Sequence, residues 1–476
     1  MTHLIRQQFV HVEFDGSEHE ALALQRRLSS LCRENLIPAI ESVLDRYAEP
    51  DRHLYLERLE VNVGTVSGDR LESEFAASVA QALEKQLREE LLAAKTPPQS
   101  RTPGENMVDA FLHFLECGTL PWSLHLPVGR GLEQIMTGCL KEVATTEKHS
   151  GKIFSDAPSL LAVASVRKRL VLQFSEAFLN TLLSLFSPQV TATVAAVLGK
   201  LAGLKGPADA VKRLRQEVWE QAFLLVASGK SHPEQELVAL AWRSLQEQEP
   251  GCRDLAAGVE RHWAGVTGKT KGLPDENVSA TASQDKGTGE RDTPTGFRPD
   301  GCDNREHPEA KEGIFLDNAG LVLLHPFLPQ FFRALGVATE HELLQPERAL
   351  GLLHYLATGS GSAPEYQLML PKVLCDIPLL APVPSEFELT AEEQEEATAL
   401  LCAVIRHWDV LGNSSPDGLR GTFLVRPGKL SLRGDGDWLL QVERMTCDIL
   451  LEQLPWGLSM VRLPWMKRML WVEWSW

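Results

Sequence analysis

The sequence predicts a predominantly α-helical α+β protein, and three observations carry that expectation. Apolar residues recur at helical spacing through most of the chain, two-residue alternations are confined to its two ends, and the stretch 265–313 holds almost no large apolar side chain. With 476 residues, 43% of them hydrophobic and 23% charged, the chain is long enough for two or three domains of ordinary globular composition. The expected partition is a small β-α-β-α N-terminal unit (1–95), a helical domain (104–264), a disordered linker (265–313) and a C-terminal helical domain with a small antiparallel sheet (314–476).

In the first segment Val10, Val12 and Phe14 alternate like a strand, and Asp15-Gly16 turns the chain. Ser17 with Glu20 three residues later forms a capping box, in which serine and glutamate satisfy each other's exposed N–H groups. The helix that follows carries Leu24, Leu28 and Leu31 on one face, is reset at Pro38, and continues through Ile40, Val43 and Leu44. Leu59, Val61 and Val63 alternate again up to Gly64, predicting a second strand, and a long polar helix covers Arg70 to Ala94.

TPPQSRTPG, 96–104, reads as a linker, and from there to Trp263 the pattern is helical. FLHFLECGTLPW closes one helix at Gly118, and the basic VRKRL at 166–170 reads as a solvated helix face. The uncharged window 177–199 is split by Ser187-Pro188, an N-cap with proline in the first helical turn, so it predicts two soluble helices and no membrane insertion. Residues 265–313 cannot bury enough surface to offset the entropy of ordering. Beyond Phe315, Thr390 and Glu393 make another capping box, opening a helix through Leu400, Val404 and Trp408, and Ser415-Pro416 opens the next. Leu430 and Leu432, then Trp438, Leu440 and Val442, alternate on either side of RGDGD, which predicts a hairpin, and MLWVEWSW predicts a third strand. LHFLECG at Leu112 and LHYLATG at Leu353 echo each other as glycine-capped helix ends.

The net charge of −17 and a pI near 5.4 argue against a general affinity for nucleic acid or anionic lipid. Eight scattered cysteines with no CxxC pair read as reduced, mostly buried thiols, and the N-terminus shows no secretory pattern, so a cytoplasmic protein is expected.

Each catalytic signature fails where its mechanism needs a residue. GKT at Gly268 lacks the phosphate-loop glycine five residues earlier, where Trp263 stands; HELLQ at His341 and HEALA at His19 lack the second zinc-binding histidine; and there is no GxSxG elbow. EEQEE, 392–396, suits the first turns of a helix. His325 and His354 have no carboxylate or thiol at ligand spacing and read as structural. No catalytic, cofactor-binding or metal-binding residue is assigned, and the expectation is a protein without enzymatic activity.

The tail remains. QLPWGLSMVRLPWMKRMLWVEWSW, 453–476, holds five of the chain's eleven tryptophans and says LPW twice. Rigid tryptophan beside proline supplies bulky anchors at low entropy cost. They serve either to close the C-terminal core or to bind a partner, and the two uses can share a surface, with Trp456 and Trp465 inside and Trp474 and Trp476 outside. The residues singled out for interaction are Trp456, Pro464, Trp465, Trp471 and Trp474, followed by His325, Pro326 and Trp122.

HPFLPQFFRALG, RALGLLHYLATG, LPKVLCDIPL, SPDGLRGTFLVRPGKL and DILLEQLPWGLSMVRLPWMKRMLWVEW, in that order, resemble the C-terminal region of the tape-measure family of contractile injection systems. HLYLERLEVNVG and FLHFLECGTLPW resemble its N-terminal part, so the likeness spans about 1–125 and 315–476. The resemblance implies a structural assembly protein that helps set inner tube length, with the inner tube protein, baseplate or hub proteins and the tube terminator as partners. It also implies a cytoplasmic location during assembly and the tube lumen afterwards. A cytosolic assembly chaperone or adaptor is the alternative, and a homo-oligomer is compatible with either.

Overall fold

A computed structural model of the chain describes residues 10–47, 59–66, 70–93, 103–122, 129–145, 158–229, 233–248, 253–266 and 307–474, with single positions at 3, 5, 8, 56, 124 and 126. Its described residues fall into two compact units, 1–110 with 122–125, and 111–121 with 126–476.

In the first unit, Ser17 Oγ accepts from the Glu20 N–H at 3.4 Å while the Glu20 carboxylate accepts from the Ser17 N–H at 2.9 Å, so the capping box opens α1 (Glu18–Leu31) as expected. A widened π turn, Cys32–Leu36, leads straight into α2 (Ile37–Tyr47). The wide turn sits where Pro38 withholds an N–H from the preceding turn, so the chain adjusts without breaking. Helix α3 (Leu71–Ala93) packs on both, burying Leu36, Val43, Phe75 and Leu87, while Arg46 bridges to Glu84 at 3.0 Å on the surface.

The two strands expected in this unit do not form among the described residues. Val10, Val12 and Phe14 are 44%, 45% and 47% exposed and pair with nothing in a ladder. Leu59, Val61 and Val63 are half-buried and alternate with exposed Glu60 and Asn62, yet they too lack a hydrogen-bonded neighbour. The alternation describes a ribbon laid on helices. A strand needs a second ribbon beside it, and none of the described segments supplies one.

The second unit takes the end of α4 (Pro103–Cys117) from Phe111 onward, then α5 (Leu132–Thr145), α6 (Ala164–Gln173), α7 (Glu176–Phe186), α8 (Pro188–Leu201), α9 (Ala208–Ser228), α10 (Glu234–Gln248) and α11 (Arg253–His262). The α7–α8 break falls at Ser187-Pro188, where Ser187 Oγ accepts from the Val190 N–H at 3.3 Å. No described helix is long and apolar enough to cross a membrane. Helix α9 is the centre of this layer, packing on α6, α8 and α10 through Leu214, Val218, Ala222 and Phe223. Rings of Phe111, Phe114, Phe174 and Phe178 meet edge-on or stacked at 4.6 to 5.9 Å and tie α4 to α6 and α7.

From His307 the chain forms β1 (Ile314–Leu316), a fully buried 3-10 helix (Ala319–Leu324), α12 (Leu328–Ala334), α13 (Pro346–Thr358), α14 (Met369–Leu374), α15 (Ala391–His407) and α16 (Pro416–Leu419). The sheet is completed by β2 (Gly428–Leu432), β3 (Trp438–Val442), β4 (Met460–Val461) and β5 (Leu470–Glu473), in the order β1-β2-β3-β5-β4. The predicted hairpin and third strand are there, with the 433–437 turn closed by the Arg433 N–H donating to Asp437 O at 2.8 Å. The sheet is mixed, however, not purely antiparallel, because β5 runs parallel to β3. After β3 the chain crosses through a 3-10 helix, Thr446–Gln453, and forms β4 before returning, which lets β5 enter in the same direction. One core runs from β1 through the helices to Trp474.

Most of the linker expected at 265–313 lies outside the described residues, as do the GKT triplet and Trp476. The segment reappears at His307, whose Nε2 lies 3.2 Å from Cys117 O, and burial pushes this histidine down to about 4.

Candidate functional site

The tail tryptophans sit mainly in the core. Trp465 is 9% exposed, and its indole N–H donates to Leu374 O at 2.8 Å with its ring against Phe332. Trp456 is half-buried, donates to Leu323 O at 3.1 Å and meets Phe327 edge-on at 5.2 Å. Trp474, expected outside, is 5% exposed. The alternation of β5 sends Leu470, Val472 and Trp474 inward, and the indole N–H of Trp474 donates to Asp448 Oδ2 at 3.1 Å under the Arg426 guanidinium. Trp471 points the other way, half-buried on the outer sheet face beneath Arg433, with its N–H on Asp437 Oδ2 at 3.3 Å. Pro464 and Pro326 are exposed; His325 is half-buried, donates its Nδ1–H to Val322 O at 2.9 Å, and is pushed down by burial; Trp122 is half-buried in the first unit. The structure therefore brings Trp456, Trp465 and Trp474 into one core and leaves Trp471 and Pro464 accessible.

Replacing Trp465 by alanine is expected to destabilise the second unit by about 3 kcal/mol, since it removes a large ring and orphans Leu374 O. A urea unfolding curve followed by far-ultraviolet circular dichroism measures the loss.

Sequence reasoning missed the buried charges. VRKRL is not a solvated face: Arg169 is fully buried and Arg167 nearly so. Arg169 Nε and Nη2 donate to the two carboxylate oxygens of Glu365 at 2.9 and 3.2 Å, and its remaining donors reach Leu115 O, Glu116 O and Leu380 O at 2.6 to 3.0 Å. Lys372 Nζ donates to Glu365 Oε1 at 2.6 Å, to Leu379 O at 2.9 Å and to Ala381 O at 2.8 Å. Two cations thus share one carboxylate in a fully buried site, with backbone carbonyls supplying the remaining negative potential. A second fully buried pair joins Arg426 to Asp448 at 2.7 and 2.8 Å. A signal was present in the sequence: Lys372 stands alone in LPKVL and Arg426 in LVRPG, isolated charges within apolar runs.

Arg169 also explains the internal echo. Gly118 and Gly359 end their helices at φ +77° and +76°, conformations that glycine adopts without strain. At each end an arginine from later in the chain binds the last carbonyls: Arg169 those of Leu115 and Glu116, Arg420 those of Leu356 at 3.1 Å and Tyr355 at 3.4 Å. A cation there satisfies orphan acceptors and complements the helix dipole.

Among the described residues no group of three histidine, cysteine or carboxylate side chains could hold a metal ion. Burial pushes the Cys117 thiol up to about 12 and raises Cys375 further, and both are free thiols. The described residues build a scaffold closed by aromatic anchors and buried ion pairs. The family described as contractile injection system tape measure protein matches residues 2–474, and the chain belongs to that family. The match includes the middle helices and the 265–313 segment, beyond the stretches on which the sequence resemblance rested. No curated protein and no solved structure matches the chain.

Proposed function

We propose that this chain is a non-enzymatic assembly component that helps set the length of the inner tube of a contractile injection particle. The observation that carries the reading is the family match over 2–474. In this role the chain is made in the cytoplasm, enters the lumen of the growing tube and contacts the tube protein, the baseplate hub and the terminator. Trp471, Pro464 and Pro326 are the accessible members of the interaction set.

Reach supports the proposal in part. Helix α3 extends about 35 Å and residues 265–313, pulled straight, about 160 Å. The helical layer α6–α11 adds length if it opens.

The test is tube length by electron microscopy in particles whose segment 272–311 is deleted or duplicated. A change in the matching direction, up to about 130 Å at full extension, is expected of a ruler. Unchanged length in normal particles overturns it. Mass spectrometry of purified particles then decides for the chaperone or adaptor if the chain is absent.

A further inference from the structure

The sheet has one face on the core and one facing outward, where Arg433 lies over the Trp471 ring. Leu430, Leu440, Leu470, Val472 and Trp474 point inward and are buried. Register fixes what the other face carries. One row runs Phe315, Lys429, Gln441, Glu473 across β1, β2, β3 and β5, and the next runs Ser431, Leu439, Trp471, Met460 across β2, β3, β5 and β4. Phe315 is 46% exposed and Met460 51%, with Leu439 and Trp471 half-buried between them. The Gln441 side chain donates to Glu473 at 2.8 Å, which holds the first row in place.

We infer that this face is a homodimer interface, in which a second copy of the chain lays the same face upon it about a two-fold axis parallel to β3. The order of residues across each row is the argument. That rotation places β3 over β3 and β2 over the second copy's β5. Lys429 then faces Glu473 of the second copy, and the reverse pair forms on the other side of the axis. Small Ser431 faces bulky Trp471, Leu439 meets Leu439, and the Gln441 amides meet on the axis. The six positions on β2, β3 and β5 each find a partner of opposite charge, complementary size or like polarity, as a self-complementary isologous contact requires, while Phe315 and Met460 on the outer strands lie at the rim.

Other modes fit the face less well. The edge strands β1 and β4 have three and two residues, too short to template an edge-to-edge ladder. Five strands at about 4.8 Å spacing make a face roughly 20 Å wide, smaller than a standard interface, so the dimer is weak, with dissociation in the range of about 1 to 100 µM. In a particle, where copies are held close together, such an affinity suffices to pair them. The inference stands whether or not the chain sets tube length.

The test is sedimentation equilibrium of the full chain from about 2 to 200 µM, a range that brackets that affinity. A monomer–dimer equilibrium is expected. Lys429→Glu and Glu473→Lys should each weaken it about tenfold by placing like charges face to face, and the double reversal should restore it to within about threefold. Ser431→Trp, which sets ring against ring, should abolish it, with circular dichroism reporting an intact fold. A chain that stays monomeric throughout the range overturns the inference. So does a dimer indifferent to the charge reversals and to Ser431→Trp, which would use another surface.

Discussion

Replacing Glu365 by glutamine is expected to destabilise the second unit by about 3 to 5 kcal/mol, although the new side chain has the same shape. Arg169, Lys372 and Glu365 are all fully buried, and the carboxylate is the single anion that both cations contact. Glutamine keeps an acceptor but removes the charge, leaving two uncompensated cations out of water. Lys372→Met supplies the comparison. It deletes three hydrogen bonds, to Glu365, Leu379 and Ala381, yet leaves Arg169 and Glu365 as a balanced pair. If charge balance governs, Glu365→Gln is the worse variant; if bond number governs, Lys372→Met is. Urea midpoints of the two variants against the parent decide, and the order expected here is Glu365→Gln below Lys372→Met.

Gly320→Ala is expected to be at least as damaging, at roughly 5 kcal/mol or more, because nothing soft can move aside. A Cβ at this position would lie 1.6 Å from the carbonyl oxygen of Phe423 and 2.9 Å from the Leu424 Cα, both backbone atoms. The fully buried 3-10 helix 319–324 rests directly on the turn 420–424, and the Ala319 N–H donates to Arg426 O at 2.9 Å. One methyl group therefore has to push apart two core segments whose contact also sets where Arg426 meets Asp448. Gly229→Ala makes a suitable control: its φ is +63° but nothing lies within 4 Å, so only backbone strain of about 1 to 2 kcal/mol is expected. Thermal unfolding of the two proteins separates crowding from strain, and near-equal losses would remove the close approach as the reason for glycine at 320.

The reading of the tail shows where one-dimensional reasoning stops. Alternation placed the third strand, but whether Trp474 or Trp471 faces the core depends on which side of the sheet the helices cover, and that is settled by contacts with residues more than twenty positions away, such as Asp448 and Arg426. The buried charges were missed for a related reason. On a helix taken alone VRKRL looks like a solvated face, and only Glu365, almost two hundred residues later, makes burial of Arg169 tolerable.

What the sequence determined by itself is local. The capping boxes at Ser17 and Thr390, the Ser187-Pro188 break, the glycine ends at Gly118 and Gly359, the hairpin at 433–437 and the family all follow from neighbours within a few positions or from ordered motifs. Such signals survive because helix ends and turns are satisfied by nearby side chains and glycine dihedrals. Tertiary structure decided the rest: that the ribbons at 10–14 and 59–63 stay unpaired, that β5 enters parallel to β3, and that Arg169, Glu365, Lys372, Arg426 and Asp448 lie buried between segments. Pairing a strand or burying a charge requires a partner brought from far along the chain, and only packing says whether that partner arrives.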